Sequence, residues 1–209
     1  MTILEISRRR FLRNCLAAAS LAPAALDWSA DSQSQLPQYG LGRRTLSLNE
    51  SWLFGGKFSN AVMTPGYDDS AWLPVTLPHC VTKLSWQNWD PAAWEDSWIY
   101  RKHFSIPPEW QGLRLFLHFD RVMTGASLAL NGHDLEGHLG GYLPFDREIT
   151  NFLQEGDNVL GLKVDAGWLN VPPSGSPRGP VSVDYLLPGG ITGSAELHAV
   201  PNLFLREVF

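Results

Sequence analysis

Apolar and polar residues in this chain alternate with a period of two in short runs, and no long segment carries the spacing of an amphipathic helix. Leu128 and Leu130 alternate with smaller residues and lead into Asn131-Gly132, a dipeptide that accepts positive φ at both centres of a type I′ turn. The pattern predicts a strand, a tight reversal and a second strand. Further on, Thr150 is placed to cap a single helical turn at Asn151-Phe152-Leu153, and Gly156 sits in a polar turn. Leu160, Leu162 and Val164 then resume the alternation. The same pattern sets Tyr100-Lys102-Phe104-Ile106 against Arg101-His103-Ser105, and runs again through Leu113-Leu115-Leu117-Phe119. Each such strand has one apolar face, and that face needs a second layer to bury it. Short strands separated by Gly, Pro and Asn turns at intervals of roughly 8–12 residues predict an all-β sandwich.

The amino terminus breaks this pattern. Ser7-Arg8-Arg9-Arg10-Phe11-Leu12-Arg13 precedes an alanine-rich apolar run at residues 15–26, which is too short to cross a bilayer as a helix and too rich in small residues for a core strand. It reads as a twin-arginine export signal with a small-residue cleavage site at Ala22-Pro23-Ala24. Residues 1–24 are assigned to that signal and 25–41 to a polar linker. Residues 42–209 are then a single sandwich of adequate size for a core. The expected destination is the periplasm or beyond the cell.

Loss of Arg8, Arg9, Arg10, Arg13 and Glu5 with the signal takes the balance from 16 basic and 21 acidic residues to 12 and 20, which argues against a nucleic-acid partner. Cys15 leaves as well, so Cys80 has no partner for an intramolecular disulfide and is expected to be a buried small hydrophobe. Arg13-Asn14 before Cys15 do not form a lipoprotein box, and no second apolar segment is long enough to span a bilayer. No membrane anchor is expected.

Candidate chemistry concentrates in residues 86–98, WQNWDPAAWEDSW, which hold four of the nine tryptophans together with Asp90, Glu95 and Asp96. Aromatic faces stack on the C–H faces of sugars while carboxylates take the hydroxyls. The competing role for each tryptophan is packing in the core or at an interface. The longest irregular stretch, residues 167–180, is GWLNVPPSGSPRGP, and loops of this kind often carry function. Glycoside hydrolysis needs two facing carboxyl groups about 5–5.5 Å or 6.5–9.5 Å apart. The adjacent pairs Asp68-Asp69 and Glu95-Asp96 do not supply that, since neighbours on an extended chain point to opposite faces; both are expected to be solvated turn residues.

His133 and His138 span a hairpin with no third ligand placed by spacing, so surface roles are expected. His79, after Pro78, is expected to be a structural hydrogen-bonder, and Gly140-Gly141-Tyr142 a bulge or close backbone approach. No nucleophile elbow, phosphate-binding loop or zinc pattern is present. The sequence therefore predicts no catalytic residue, no metal site and no cofactor.

Six motifs, LSLNESWLF, PGYDDSAWLPVTLPH, WIYRKHF, LNGHDLEGHLGGYLPF, EGDNVLGLKVD and LLPGGIT, follow one another over about residues 46–209. In order and spacing this resembles the N-terminal sugar-binding domain of glycoside hydrolase family 2, the group of β-galactosidases, β-glucuronidases and β-mannosidases. The resemblance implies a jelly-roll β-sandwich of the galactose-binding-domain-like type. Its implied partners are a β-glycoside carbohydrate and the remaining domains of a glycosidase. It also implies that the loop before the Tyr-Arg-Lys strand lies near the active site of the assembled enzyme, and that the connection at 167–180 reaches toward the barrel. Candidates for sugar or interdomain contact are therefore Trp86, Trp89, Asp90, Trp94, Glu95 and Asp96 in the first segment, and Asp165, Trp168, Asn170 and Arg178 around the second.

In the family, the acid/base and nucleophile glutamates belong to a TIM barrel beyond this domain and an immunoglobulin-like one, which would start near Phe209. The 209 residues are thus expected to hold neither glutamate and to be inactive alone. A freestanding carbohydrate-binding module or a non-catalytic interaction domain is the alternative. Two positions depart from the family pattern: Glu148 stands where aspartate is usual, and Thr192-Gly193 where an aromatic residue and an arginine often follow Gly-Gly-Ile. The second departure removes an anchoring charge.

Overall fold

The computed structural model describes residues 42–83, 85, 87, 90, 93–167 and 189–205, all within one compact unit, Gly40–Phe209. The assigned signal and linker lie outside the described residues. The described chain forms twelve strands: β1 (Arg44–Ser47), β2 (Trp52–Lys57), β3 (Leu73–Val75), β4 (His79–Cys80), β5 (Ser97–Ser105), β6 (Arg114–Phe119), β7 (Gly125–Leu130), β8 (His133–Leu139), β9 (Phe145–Glu148), β10 (Asp157–Asp165), β11 (Gly190–Ile191) and β12 (Ala195–Val200). Single 3-10 turns separate some of them, and no α-helix occurs among the described residues.

Pairing is antiparallel throughout. One sheet runs β1-β12-β6-β9, the other β3-β2-β5-β10-β7-β8, and β4 and β11 form a short ribbon. The expected alternation supplies the core. Leu115, Leu117 and Phe119 of β6, with Ala195, Leu197 and Ala199 of β12, meet Leu128 and Leu130 of β7, Leu160, Leu162 and Val164 of β10, and Tyr100 of β5 in one buried cluster. Each large apolar side chain removed from water contributes about 1.5–3 kcal/mol, so the two inner faces hold the layers together. Trp52 sits at 0% exposure between them, edge-on to Tyr100 and Phe119, and its indole N–H donates to the Leu48 carbonyl at 2.6 Å. The turn at Asn131-Gly132 joins β7 to β8 with φ of 53° and 84°, as its composition predicts.

Four local expectations are corrected. Strand β5 is not half-exposed: Trp98 to Lys102 are all buried. Tyr100 and Phe104 face the core, while the opposite face is covered by the 3-10 turn Asn60–Met63 and the chain after it. Arg101 lies fully buried beneath that strap and donates to the Val62, Thr64 and Pro65 carbonyls at 2.8, 2.7 and 3.0 Å. Asp69 is not a solvated turn residue, because its carboxylate accepts from Arg101 Nε at 2.6 Å and pairs with His103 Nε2 at 2.9 Å. Thr150 does not cap the turn that follows it. The 3-10 turn begins at Thr150 itself, and its hydroxyl instead accepts from the Leu115 N–H at 2.9 Å, stitching the turn to β6. Cys80 is exposed rather than buried, since β4 belongs to the small ribbon and not to a core sheet.

Candidate functional site

The predicted segment before β5 and the end of β10 come together at one end of the sandwich because their strands are paired, with Asp165 opposite Ser97 and Val164 opposite Trp98. The Ala166 N–H donates to the Asp96 carbonyl at 3.0 Å, fastening the two connections to each other. Trp94 is 3% exposed within the core cluster, and its carbonyl accepts the Trp98 indole N–H at 2.8 Å. Two aromatic residues thus act as the plug from which the segment leaves the core. Asp90 is exposed, and its carbonyl accepts the Ala93 N–H at 3.0 Å.

The three carboxylates nearest the plug differ in environment. Asp96 bonds Lys57 Nζ at 2.7 Å and the Ser97 N–H at 2.7 Å, and both hold its carboxyl below the usual carboxylate range. Glu95, next to it, is pushed upward by burial. Asp165 accepts the Gly167 N–H on Oδ1 at 2.9 Å, and its carbonyl takes both the N–H and the hydroxyl of Thr124 at 2.8 and 2.9 Å. The structure therefore gathers Trp94, Glu95, Asp96 and Asp165 at one end of the domain, with Asp90 in the same connection. Trp86, Trp89, Trp168, Asn170 and Arg178 lie outside the described residues.

Two features of this end are not legible in the sequence as functional candidates. His79 Nδ1 meets the Tyr100 hydroxyl at 2.8 Å, as a structural hydrogen-bonder should, and burial lowers the imidazole and raises the phenol. Gly190 permits that approach: its φ is 129°, and a Cβ there would collide with the His79 carbonyl and stand 3.1 Å from the Tyr100 hydroxyl. The second feature is Tyr142, 64% exposed in the Gly140-Gly141 connection. Gly141 lies against Met123 and Thr124, and the Gly140 N–H donates to the Thr124 carbonyl at 3.2 Å. Through Thr124 this turn is tied to Asp165, so an open aromatic ring stands on the same end. An aromatic residue directly after two glycines in a strand connection is the available signal.

The Thr192-Gly193 departure also has a local account. Gly193 lets the backbone close on Asp120 and Arg121, where a Cβ would come within 2.6 Å of the Asp120 Cβ, and Arg121 Nη2 donates to the Thr192 carbonyl at 3.3 Å. At Glu148 the longer carboxylate forms a two-pronged pair with Arg114 at 2.9 and 2.6 Å. A cleft of about 640 Å³ lies at the opposite end of the sandwich, between Ile106, Pro108, Trp110, Leu113 and Leu153, and shares no residue with the predicted site.

Two packed antiparallel sheets with this strand order, and loops collected at the ends, define a jelly-roll domain of the galactose-binding-like class. The sequence profile described as "Glycosyl hydrolase 2 galactose-binding domain-like" matches residues 64–174, just over half the chain. The chain belongs to that family. It is 29% identical over 172 residues to a β-galactosidase of Thermoanaerobacter pseudethanolicus, a match covering 81% of this chain and 22% of the relative. It is 34% identical over 120 residues to a β-glucuronidase of Bacteroides fragilis, covering 55% of this chain and 15% of the relative. Among solved structures, the Bacteroides uniformis β-glucuronidase 2 covalently bound to cyclophellitol-6-carboxylate aziridine superposes with a TM-score of 0.65 at 28% identity, covering 77% of this chain and 18% of that one. The chain spans about a fifth of the length of the relatives it matches.

Proposed function

We propose that this domain serves a family 2 β-glycosidase as its carbohydrate-facing accessory layer, presenting the end that carries Trp94, Glu95, Asp96, Asp165 and Tyr142 toward a β-glycoside. The observation that carries this reading is the fastening of the Asp96 end of the tryptophan-rich segment to the end of β10, which gathers Glu95, Asp96 and Asp165 at one rim with the open ring of Tyr142. On this rim Trp94 is an anchor rather than a stacking surface, because it is buried. Stacking falls to the tryptophans preceding it and to Tyr142. Bond cleavage, with retention at the anomeric carbon, is assigned to the two glutamates of the family's barrel, and these 209 residues supply recognition. Matches to both β-galactosidases and β-glucuronidases support β-linked hexose or hexuronic acid as the sugar class. Residues 1–24 direct export by the twin-arginine route to the periplasm or beyond.

Calorimetric titration with β-galactosides and β-glucuronides tests the recognition reading. Binding is expected for the parent chain and is expected to fall at least about tenfold in Trp86→Ala, Trp89→Ala or Tyr142→Ala, the scale of losing one aromatic contact. Silence toward all such sugars would overturn it. Fusion of residues 1–24 to a folded reporter tests export, which should disappear in an Arg8→Lys, Arg9→Lys pair.

A further inference from the structure

The outer face of the β1-β12-β6-β9 sheet carries a cluster that the sugar reading does not use. Strand β6 points Leu115, Leu117 and Phe119 inward, so His118 is on the outer face. Asp146 of β9 stands opposite His118, and Glu196 of β12 stands opposite it on the other side. His198 lies two residues along β12 from Glu196 and therefore shares its face. A ring nitrogen from each of His118 and His198 and a carboxylate oxygen of Asp146 all lie within 4.8 Å of one another.

The hydrogen bonds determine which nitrogens face the centre. His198 Nε2 meets Glu196 Oε2 at 2.7 Å, while its Nδ1 is buried and finds no hydrogen-bond partner among the described residues. His198 is only 4% exposed, and a buried polar atom left unsatisfied costs about 1–3 kcal/mol. His118 Nε2 meets Asp120 Oδ1 at 3.2 Å and its Nδ1 meets Asp146 Oδ1 at 2.8 Å. The two imidazoles stack with centroids 5.0 Å apart and planes inclined by 21°. An imidazole whose far nitrogen is held by a carboxylate is the arrangement that orients histidine as a metal ligand.

We propose that His118, Asp146 and His198 form a divalent-metal site of the zinc class on this face, with Asp120 and Glu196 as the groups that orient the two imidazoles. Two nitrogens and one carboxylate oxygen suit zinc or cobalt, whereas calcium and magnesium take oxygen ligands. Zinc bonds of about 2.0–2.2 Å place tetrahedral donors about 3.4 Å apart, so atoms now within 4.8 Å need only a modest side-chain rotation. His118 and Asp146 are 21% and 24% exposed, which leaves an approach from solvent and a fourth position for water. The ion would cross-link β12, β6 and the edge strand β9. Spacing in the sequence hides the site because its three ligands come from three strands.

Titration of zinc chloride into the tag-free, chelator-stripped 209-residue chain, in a Cys80→Ser background that removes the exposed thiol, tests the proposal. One-to-one binding is expected, with a cobalt(II) visible spectrum free of thiolate bands and a raised melting temperature. Asp146→Ala and His118→Gln, at part-exposed positions outside the core, should each weaken zinc by at least about 100-fold, and Glu196→Gln by about 10- to 100-fold. His133→Gln should leave binding unchanged. Absence of binding by the parent, equal response to magnesium or calcium, or binding indifferent to Asp146→Ala and His118→Gln would each overturn the proposal.

Discussion

The two outer faces of the sandwich each carry histidine and aspartate in close contact, and they use them in opposite ways. On the six-stranded sheet, Asp69 is held between Arg101 and His103 beneath a strap of chain, and His103 also reaches Asp157 at 2.8 Å. The guanidinium there supplies a fixed positive charge, and its other donors end on three backbone carbonyls. On the four-stranded sheet, carboxylates surround two stacked imidazoles, and one buried nitrogen has no partner among the described residues. The first cluster is complete and serves the fold. The second gathers its donors around a common point, and a cation from solution would complete it.

The sharpest way to break this contrast is to remove the keystone of the complete cluster. Asp69→Asn leaves the buried Arg101 charge without its counter-ion, and breaking a buried pair in this way costs about 3–5 kcal/mol. Denaturant unfolding should show a loss near the lower end, because the carbonyls remain; a loss under about 1 kcal/mol would mean that the strap does not depend on the pair. Next in size is Asp146→Ala measured in chelator. With no metal present this half-open site should contribute little, and the variant should unfold within about 1 kcal/mol of the parent. A cost equal to that of Asp69→Asn would erase the distinction between the faces.

The smallest effect is a pH dependence. Burial opposes the charge on His103, but hydrogen bonds and attraction from Asp157 and Asp69 outweigh it and raise the imidazole above its usual 6.5. Burial likewise opposes the Asp69 charge, and His103 and Arg101 outweigh it and lower the carboxyl below its usual 3.8. The His103 contribution is thus complete below about pH 6.5 and is lost as pH rises through the elevated folded value. The Asp69 contribution is present above its ordinary value and is lost in acid. The melting-temperature gap between the parent and His103→Gln should shrink from about pH 6 to about pH 9. A gap that widens with pH would reverse the assignment. Since His103 is 38% exposed, solvent screening keeps the change modest.

Much of the scaffold is legible in the chain's own patterning. The Asn131-Gly132 turn and the alternating leucines of β6, β7 and β10 appear where the pattern places them. These are local properties, since turn chemistry and period-two alternation need only neighbours in sequence. Where local patterning misleads, distant chain is responsible. Arg101 looks like a surface residue of a half-exposed strand until the residues 36, 37 and 39 positions before it fold over the sheet. Asp69 looks like a solvated turn residue for the same reason, because its partners are 32 and 34 positions away.

The candidate site divides in the same manner. Composition alone draws attention to the tryptophan- and carboxylate-rich segment and to Asp165, but only pairing of β5 with β10 puts them on one rim, and only core packing makes Trp94 an anchor. His118 and His198 read as ordinary polar positions on the outward faces of their strands. By itself the sequence determined the strands, their inward faces and the family, because those follow from periodicity and local turn geometry. The tertiary structure decided which strands lie side by side and what covers each outer face. Those two facts separate a buried ion pair that holds the fold from a cluster arranged to take a metal.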